Sequence, residues 1–186
     1  ITVDGDTSTN DTFLAFSSGE KLDFKYLSIL EEGLHLTAQY LAKAIARDGE
    51  GANCLLEIKV EGAQSEYDAH AIARVIASSS LVKTAVHGSD PNWGRIIAAL
   101  GQSGSSFDLN NIKLWIGPYQ ILSNGIPMDF DREKVSNFMK DKFRGKYLID
   151  DSILIRLQLG VGKGSATAWG CDLSDQYVRI NADYTT

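Results

Sequence analysis

The chain has 186 residues, of which 44% are hydrophobic and 23% are charged, proportions typical of a globular protein with a buried core. A formal net charge of -6 and the lack of a Lys/Arg block argue against a nucleic-acid partner, because such a partner requires cations that neutralise phosphates. No apolar run approaches the roughly 20 residues that span a bilayer, and the acidic start does not resemble a signal peptide. We therefore expect no membrane partner and a cytoplasmic location.

The first half of the chain alternates predicted strands and helices. Residues 12–17 have the composition of a short strand, and residues 24–47 repeat leucine and isoleucine at helical spacing, with Gly33 as a weak point. This helix is expected to pack on a sheet. Apolar and charged side chains alternate along residues 56–60, which predicts a strand with one solvent-exposed face. Ser65 is then the predicted N-cap of a helix that reaches the serines at 78–80.

The second half begins after a Gly/Ser-rich loop at residues 101–108. Alternation at residues 112–116 predicts a strand, and Asn124-Gly125 between apolar residues predicts a hairpin turn. A capped helix is expected from about Asp131. Three further strands are predicted near residues 152–159, 166–173 and 177–184. Strands and helices are mixed throughout, so the fold class is α/β, of the α+β type, with a substantial sheet and covering helices.

Several motifs resemble known sites but lack an essential residue. The segment that starts at Asp4 resembles the beginning of a calcium-binding loop. However, the bend position holds Thr9 rather than Gly, and the closing position holds Ala15 rather than a carboxylate. Residues 160–165 resemble a phosphate loop, but Gly follows the Lys where Ser or Thr is needed, so a strand-to-strand turn is the better interpretation.

The histidines and cysteines predict neither a metal site nor a disulfide framework. His35, His70 and His87 are scattered without ligand spacing. Cys54 and Cys171 are far apart and have no CxxC partner, so both are expected to be reduced, buried thiols. Residues His87, Ser89 and Asp90 are of the types found in a hydrolase triad, but adjacency in sequence does not supply the geometry of a triad.

Four polar segments are difficult to explain by packing alone: residues 4–11, 48–53, 89–96 and 181–186. The second places Glu50 between two glycines, which allows the backbone to approach closely and to aim the carboxylate. In the third, Asp90 is a candidate cap for the amides near Asn92, with Pro91 at the first helical position. The fourth ends the chain with an amide, a carboxylate and hydroxyls.

Together these segments resemble the ornithine acetyltransferase family, also called bifunctional glutamate N-acetyltransferase or ArgJ. The motifs that carry the resemblance occur in the family's order and cover essentially the whole chain. They are STND at Ser8–Asp11, EGA at Glu50–Ala52, DPNWGRI at Asp90–Ile96, WGCDL at Trp169–Leu173 and NADYTT at Asn181–Thr186.

The resemblance implies an enzyme of arginine biosynthesis that moves acetyl from N-acetylornithine to glutamate by a ping-pong mechanism, with acetyl-CoA as a further possible acetyl donor and no cofactor. It implies part of a four-layer αββα sandwich at residues 1–62 and a C-terminal mixed α/β domain at residues 63–186. Family members cut themselves before a Thr nucleophile. That Thr is expected upstream of Ile1, so the chain is expected to be an inactive portion of the β chain, working in an α2β2 assembly with the α chain. A plant or algal protein of this kind would be chloroplastic.

Three residues of this chain match the family's substrate contacts: Glu50, Asn181 and Thr186. A carboxylate suits the α-ammonium of an amino acid, and the amide and hydroxyl suit carboxylate or amide oxygens. No catalytic residue and no metal ligand is expected here. Two alternatives stay open from the sequence, namely a non-catalytic amino-acid-binding or assembly module and a related self-cleaving aminopeptidase.

Overall fold

A computed structural model of the chain describes residues 1–183, which form six helices and six strands besides short 3-10 turns. The helices are α1 (Leu27–Arg47), α2 (Glu66–Ser78), α3 (Ser80–His87), α4 (Trp93–Gly101), α5 (Arg132–Lys142) and α6 (Asp175–Asp183). The strands are β1 (Leu55–Ala63), β2 (Lys113–Ile116), β3 (Tyr119–Ser123), β4 (Ile126–Pro127), β5 (Ser152–Gln158) and β6 (Gly164–Cys171). The predicted α/β class is confirmed.

The strands form one mixed sheet in the order β4-β3-β2-β5-β1-β6. Strand β1 is parallel to β5 and antiparallel to β6, so Leu55 lies opposite both Ser152 and Cys171. The start of β1, the start of β5 and the end of β6 therefore meet at one end of the sheet. The turn at residues 160–165 connects β5 to β6 across the other end of β1, as its glycines predict.

The side chains of β1 point alternately to the two faces of the sheet. Leu56, Ile58 and Val60 are fully buried in the main apolar core, which α2 covers. Glu57 lies on the opposite face, where its carboxylate forms an ion pair with Lys43 of α1 and accepts a hydrogen bond from the indole of Trp169. The predicted packing of α1 on the sheet is thus confirmed for the end of that helix, and Gly33 does not interrupt it.

Local capping and turn chemistry occurs where the sequence predicts it. The Ser65 hydroxyl accepts from the amide of Asp68 at the start of α2, and Asp131 caps α5 by accepting from Lys134. Asn124 and Gly125 both have positive φ and connect β3 to β4 as a two-residue hairpin turn.

Two predicted strands are wrong. Residues 12–17 are irregular and largely exposed, because no other strand in residues 1–183 pairs with this segment. Residues 175–183 form α6 instead of a strand, because the Ser174 hydroxyl accepts from the amide of Tyr177 and Asp175 lies in the first turn, where helices favour acids.

The prediction for the start of α4 also needs correction. The helix begins at Trp93 rather than at Pro91, and Asn92 is its N-cap, accepting from the amide of Arg95. Asp90 instead accepts from the Asn92 amide and from Arg132 of α5. The side chain of Asn92 accepts from the third helical amide and therefore caps α4. Asp90 instead connects this turn to α5 through Arg132.

The predicted domain boundary at residue 62 falls inside β1. Strand β1 pairs on both sides with β5 and β6, which belong to the second predicted unit. Within this chain one sheet crosses the boundary, and the division into residues 1–62 and 63–186 stays a prediction for a larger assembly.

A broad apolar surface covers α1 and the segment before it. Its exposed side chains include Phe13, Leu14, Phe16, Phe24, Leu27, Ile29, Leu30, Leu34, Leu36, Tyr40, Leu41 and Ile45. We call this the α1 surface. Contiguous apolar areas of this kind mark interaction sites in proteins. Across residues 1–183, no helix has both the length and the apolar character that crossing a bilayer requires.

Candidate functional site

Glu50 and Asn181, two of the predicted site residues, lie at the end of the sheet where β1 begins and β6 ends. Residues 48–54 connect α1 to β1, and residues 172–174 connect β6 to α6. Both glycines beside Glu50 are required by close approach between these connections. A Cβ on Gly49 would lie 2.8 Å from the sulfur of Cys171, and one on Gly51, whose φ is +69°, would lie 2.7 Å from the amide nitrogen of Tyr177.

Two of the three predicted binding residues meet directly. The Nδ2 of Asn181 donates to Oε2 of Glu50 over 2.5 Å, and also to the carbonyl of Tyr177 within α6. Both side chains are exposed to a depression of about 370 Å³, which is lined by Val3, Asp4, Ile45, Asp48, Gly49, Glu50 and Asn181. Thr186 lies outside the described residues.

The lining of this depression is negative. It carries three carboxylates, on Asp4, Asp48 and Glu50, and no Lys or Arg among its described residues. The Tyr177 hydroxyl donates to Asp4 over 3.0 Å. Burial and the hydrogen bond to Asp4 raise the pKa of Tyr177, so this phenol stays a neutral donor at physiological pH. Such a lining attracts a cationic group.

Buried charged residues lie beneath the loop that carries Glu50. Asp172 is 1% exposed and accepts hydrogen bonds from the backbone of Asn53 and Cys54, from the Asn53 amide and from His87. Lys83 is also 1% exposed, and its ammonium donates to the carbonyl of Cys171 over 2.6 Å. Sequence reasoning identified neither as functional. Asp172 belongs to the Trp169–Leu173 motif, whereas Lys83 has the pattern of an ordinary helical surface lysine.

A buried ion pair lies on the other side of the same loop. The Arg47 guanidinium contacts Asp151 over 2.5 Å and donates from a second nitrogen to the carbonyl of Ala52. Asp151 is 1% exposed and also accepts from the amide of Leu148. The pair therefore ties the end of α1 to the loop and to the segment before β5.

The three residues of the hydrolase triad that the sequence argued against have different partners in the structure. His87 pairs through Nδ1 with Asp172, Asp90 pairs with Arg132, and Ser89 is buried. In the part of the chain from residue 1 to residue 183, no group of three His, Cys, Asp or Glu residues is arranged to hold a metal ion.

Both cysteines are free and buried, as predicted. Burial raises the pKa of the Cys54 thiol strongly, and the neighbouring Asp172 carboxylate adds to the effect. Burial also raises the pKa of Cys171, although the ammonium of Lys83 opposes it. Thiolates are the reactive form, so these two thiols are chemically inert in the folded protein.

This inertness gives a prediction for pH dependence. A pKa raised on folding means that the native state keeps its proton while the unfolded state loses it. The contribution of the protonated Cys54 thiol to the free energy of unfolding is therefore complete below the usual thiol pKa of 9.0, and it falls as the pH rises above that pKa. We expect the free energy of unfolding to decline between pH 9 and 10.5 less steeply in Cys54→Ala than in the parent. Denaturant titrations of both proteins across this range measure it, and equal slopes would contradict it.

The comparison with protein-family models gives a match over residues 1–186 to the model described as "ArgJ family". The chain belongs to the ArgJ family. Among proteins similar to it, the "Arginine biosynthesis bifunctional protein ArgJ" of Prochlorococcus marinus (strain NATL2A) is 82% identical over 186 residues, which is all of this chain and 44% of that protein. The protein of the same name from Synechocystis sp. is 53% identical and is covered to 46%.

A solved structure agrees with the family fold. The crystal structure of the arginine biosynthesis bifunctional protein argJ from Bacillus halodurans is 42% identical, with a TM-score of 0.89 over 98% of this chain and 85% of that one. The α/β fold is thus that of an ArgJ protein. The chain spans less than half the length of the ArgJ relatives that it matches. These matches do not support the predicted assignment to the β chain, because their coverage identifies the family and not a processed chain.

Proposed function

We propose that this ArgJ chain works in an enzyme of arginine biosynthesis that transfers an acetyl group from N-acetylornithine to glutamate, and that it contributes an ammonium-binding face to the substrate site. Family membership and the names of the relatives support the reaction. The observation that carries the role of this chain is the Glu50–Asn181 pair in a depression lined with carboxylates.

The charges of the substrates fit this face. N-acetylornithine carries its positive charge on the side-chain ammonium, and the ornithine that leaves after the first half-reaction carries a second ammonium at its α-carbon. An ammonium donates three hydrogen bonds and accepts none, so a carboxylate is its natural partner. A charge-assisted hydrogen bond to Glu50 would contribute about 1.5 to 3 kcal/mol to binding.

Asn181 has two roles in this proposal. Its Nδ2 is engaged with Glu50 and with the helix, which leaves Oδ1 to accept from the same substrate ammonium or from an amide. Thr186, five residues further on, is proposed as the third contact, through its hydroxyl. The nucleophile of the ping-pong reaction is the Thr that the family resemblance implies, and acetyl-CoA is a second proposed acetyl donor.

The α1 surface is the proposed interface with the remainder of the enzyme, in an assembly of two copies each of two processed chains. Removing aromatic and aliphatic side chains from water there is favourable by about 25 cal/mol per Å² of apolar surface, and the entropy lost on association offsets part of this gain. A cytoplasmic location is part of the same proposal.

Substitution within this surface gives a matched pair of variants. We expect Leu34→Asp to reduce the amount of assembled enzyme, because a carboxylate in an apolar interface loses its hydration. Leu109→Asp is the control, since Leu34 and Leu109 are 58% and 54% exposed but Leu109 lies far along the chain from α1. Native mass spectrometry of the intact protein measures assembly. Equal assembly of the two variants would remove the α1 surface from the interface.

The reaction is tested by assaying the intact protein for acetyl transfer from N-acetylornithine to glutamate. The proposal expects N-acetylglutamate and ornithine in equal amounts, with kinetics in which ornithine is released before glutamate reacts. Peptide hydrolysis without acetyl transfer would favour an aminopeptidase instead. Binding of N-acetylornithine without any turnover would favour a non-catalytic module.

A further inference from the structure

Glu50 is held by its hydrogen bond with Asn181 and by the loop that carries it. It is exposed, it lies outside any helix or strand, and a glycine stands on each side of it. Glycine restricts the backbone less than any other residue. The position of the Glu50 carboxylate therefore depends on the hydrogen bond from Asn181 and on the contacts that hold the rest of the loop.

The carboxylate of Asp172 contributes three hydrogen bonds that hold the loop after Glu50. Its Oδ1 accepts from the backbone amides of Asn53 and Cys54 at 2.7 and 3.2 Å. Its Oδ2 accepts from the Asn53 side-chain amide at 2.7 Å and from Nδ1 of His87 at 3.0 Å. A carboxylate cannot donate, so the proton of the His87 ring must lie on Nδ1. Four donors satisfy a charge that would be costly to bury alone.

The segment around Asp172 is itself fixed from both sides. Lys83 of α3 accepts from the amide of Leu173 through its carbonyl and donates to the Cys171 carbonyl through its ammonium. On the opposite side the Ser174 hydroxyl donates to the carbonyl of Gly51 at 2.7 Å and accepts from the first turn of α6. Residues 171–174 thus connect α3, the Glu50 loop and the helix that carries Asn181.

From this arrangement we propose that Asp172 is a positioning residue that sets the distance between Glu50 and Asn181, and thereby the affinity of the site for a substrate ammonium. The inference rests on the proposed function of Glu50. Asp172 touches no substrate in this scheme. It acts by holding the loop after Glu50 against the connection that leads into α6.

The test uses Asp172→Asn in the intact enzyme. The amide keeps one oxygen for the two backbone donors but turns an NH2 group towards the donors of Asn53 and His87, so the loop must shift. We expect the KM for N-acetylornithine to rise about tenfold, with kcat changed less than about twofold. Asp175→Asn is the matched control, because Asp175 is exposed at the start of α6 and pairs with Arg179, a residue as exposed as itself.

The decisive readout is the double variant Glu50→Gln/Asp172→Asn. If Asp172 acts through Glu50, the double variant has the KM of Glu50→Gln alone, because the effects of coupled residues do not add. If the rise in KM of the double variant is the product of the rises in the two single variants, the inference is overturned and the proposed function is left intact. An unchanged KM in Glu50→Gln alone would overturn the proposed function, and this inference with it.

A second variant covers the case in which Asp172→Asn does not fold. Ser174→Ala removes the hydrogen bond to Gly51 and leaves the buried carboxylate in place. The same pattern is expected, with a smaller rise in KM of about threefold to tenfold that disappears in the Glu50→Gln background. A rise in KM that persists in that background would overturn the inference.

Discussion

Glu50→Gln in the intact protein is expected to raise the KM for N-acetylornithine by about 10- to 100-fold while changing kcat little. The substitution keeps the shape of the side chain and removes its charge. Losing a charge-assisted hydrogen bond costs about 1.5 to 3 kcal/mol, and each 1.4 kcal/mol corresponds to a factor of about ten in affinity. In the proposed role the carboxylate contacts the substrate away from the reacting carbonyl, so the loss affects the ground state and the transition state alike.

The control for this variant is Glu133→Gln, the same change on the exposed surface of α5. Steady-state kinetics with N-acetylornithine varied at saturating glutamate measures both constants. A KM within twofold of the parent's, with the control also unchanged, would remove Glu50 from the site. A fall in kcat at unchanged KM would instead assign Glu50 to the chemical step.

Asp151→Ala is expected to destabilise the fold by about 3 to 5 kcal/mol, the cost of leaving one member of a buried ion pair without its partner. The side chain of Asp151 is 1% exposed and that of Arg47 is 18% exposed, so solvent replaces little of the lost interaction. The half-buried amide of Leu148 loses its acceptor as well, which adds to the cost.

Urea denaturation of the intact protein measures this change as a shift of the midpoint. The matched control is Asp175→Ala, which breaks a pair whose two side chains are both 73% exposed and is expected to cost less than about 0.5 kcal/mol. Similar midpoints for the two variants would mean that the Arg47–Asp151 pair does not hold α1 to the sheet.

Much of the local structure could be predicted because the responsible interactions span only a few residues. The Ser65 and Asp131 caps and the turn at Asn124-Gly125 each depend on side chains within three positions of the backbone groups that they satisfy. The alternation in β1 likewise reports burial directly. The same reasoning failed for α6, because the alternation there lies among exposed residues and does not indicate a buried face. The cap at Ser174 favours a helix at this position.

The pairing of the sheet could not be predicted from local patterns. Strand β1 lies between two strands that follow it by about 90 residues or more, one parallel and one antiparallel. The closure of such loops depends on the whole chain. The burial of Lys83 and Asp172 follows from that pairing, because it brings the end of β6 against the loop before β1.

The candidate site shows the same division. Glu50 and Asn181 were found through the resemblance to the ArgJ family, and their contact is visible only once α6 folds back on the loop. Asp172 was part of a quoted motif, yet its connection to Glu50 through the amides of Asn53 and Cys54 is a property of the folded chain.

The most direct test of the central claim is a crystal structure of the intact protein with bound ornithine. We predict an ammonium nitrogen of the ligand within about 3.2 Å of a Glu50 carboxylate oxygen, with Asn181 in contact with the same group. Ornithine bound elsewhere, with Glu50 facing solvent or paired only with protein groups, would contradict the proposed role of this chain.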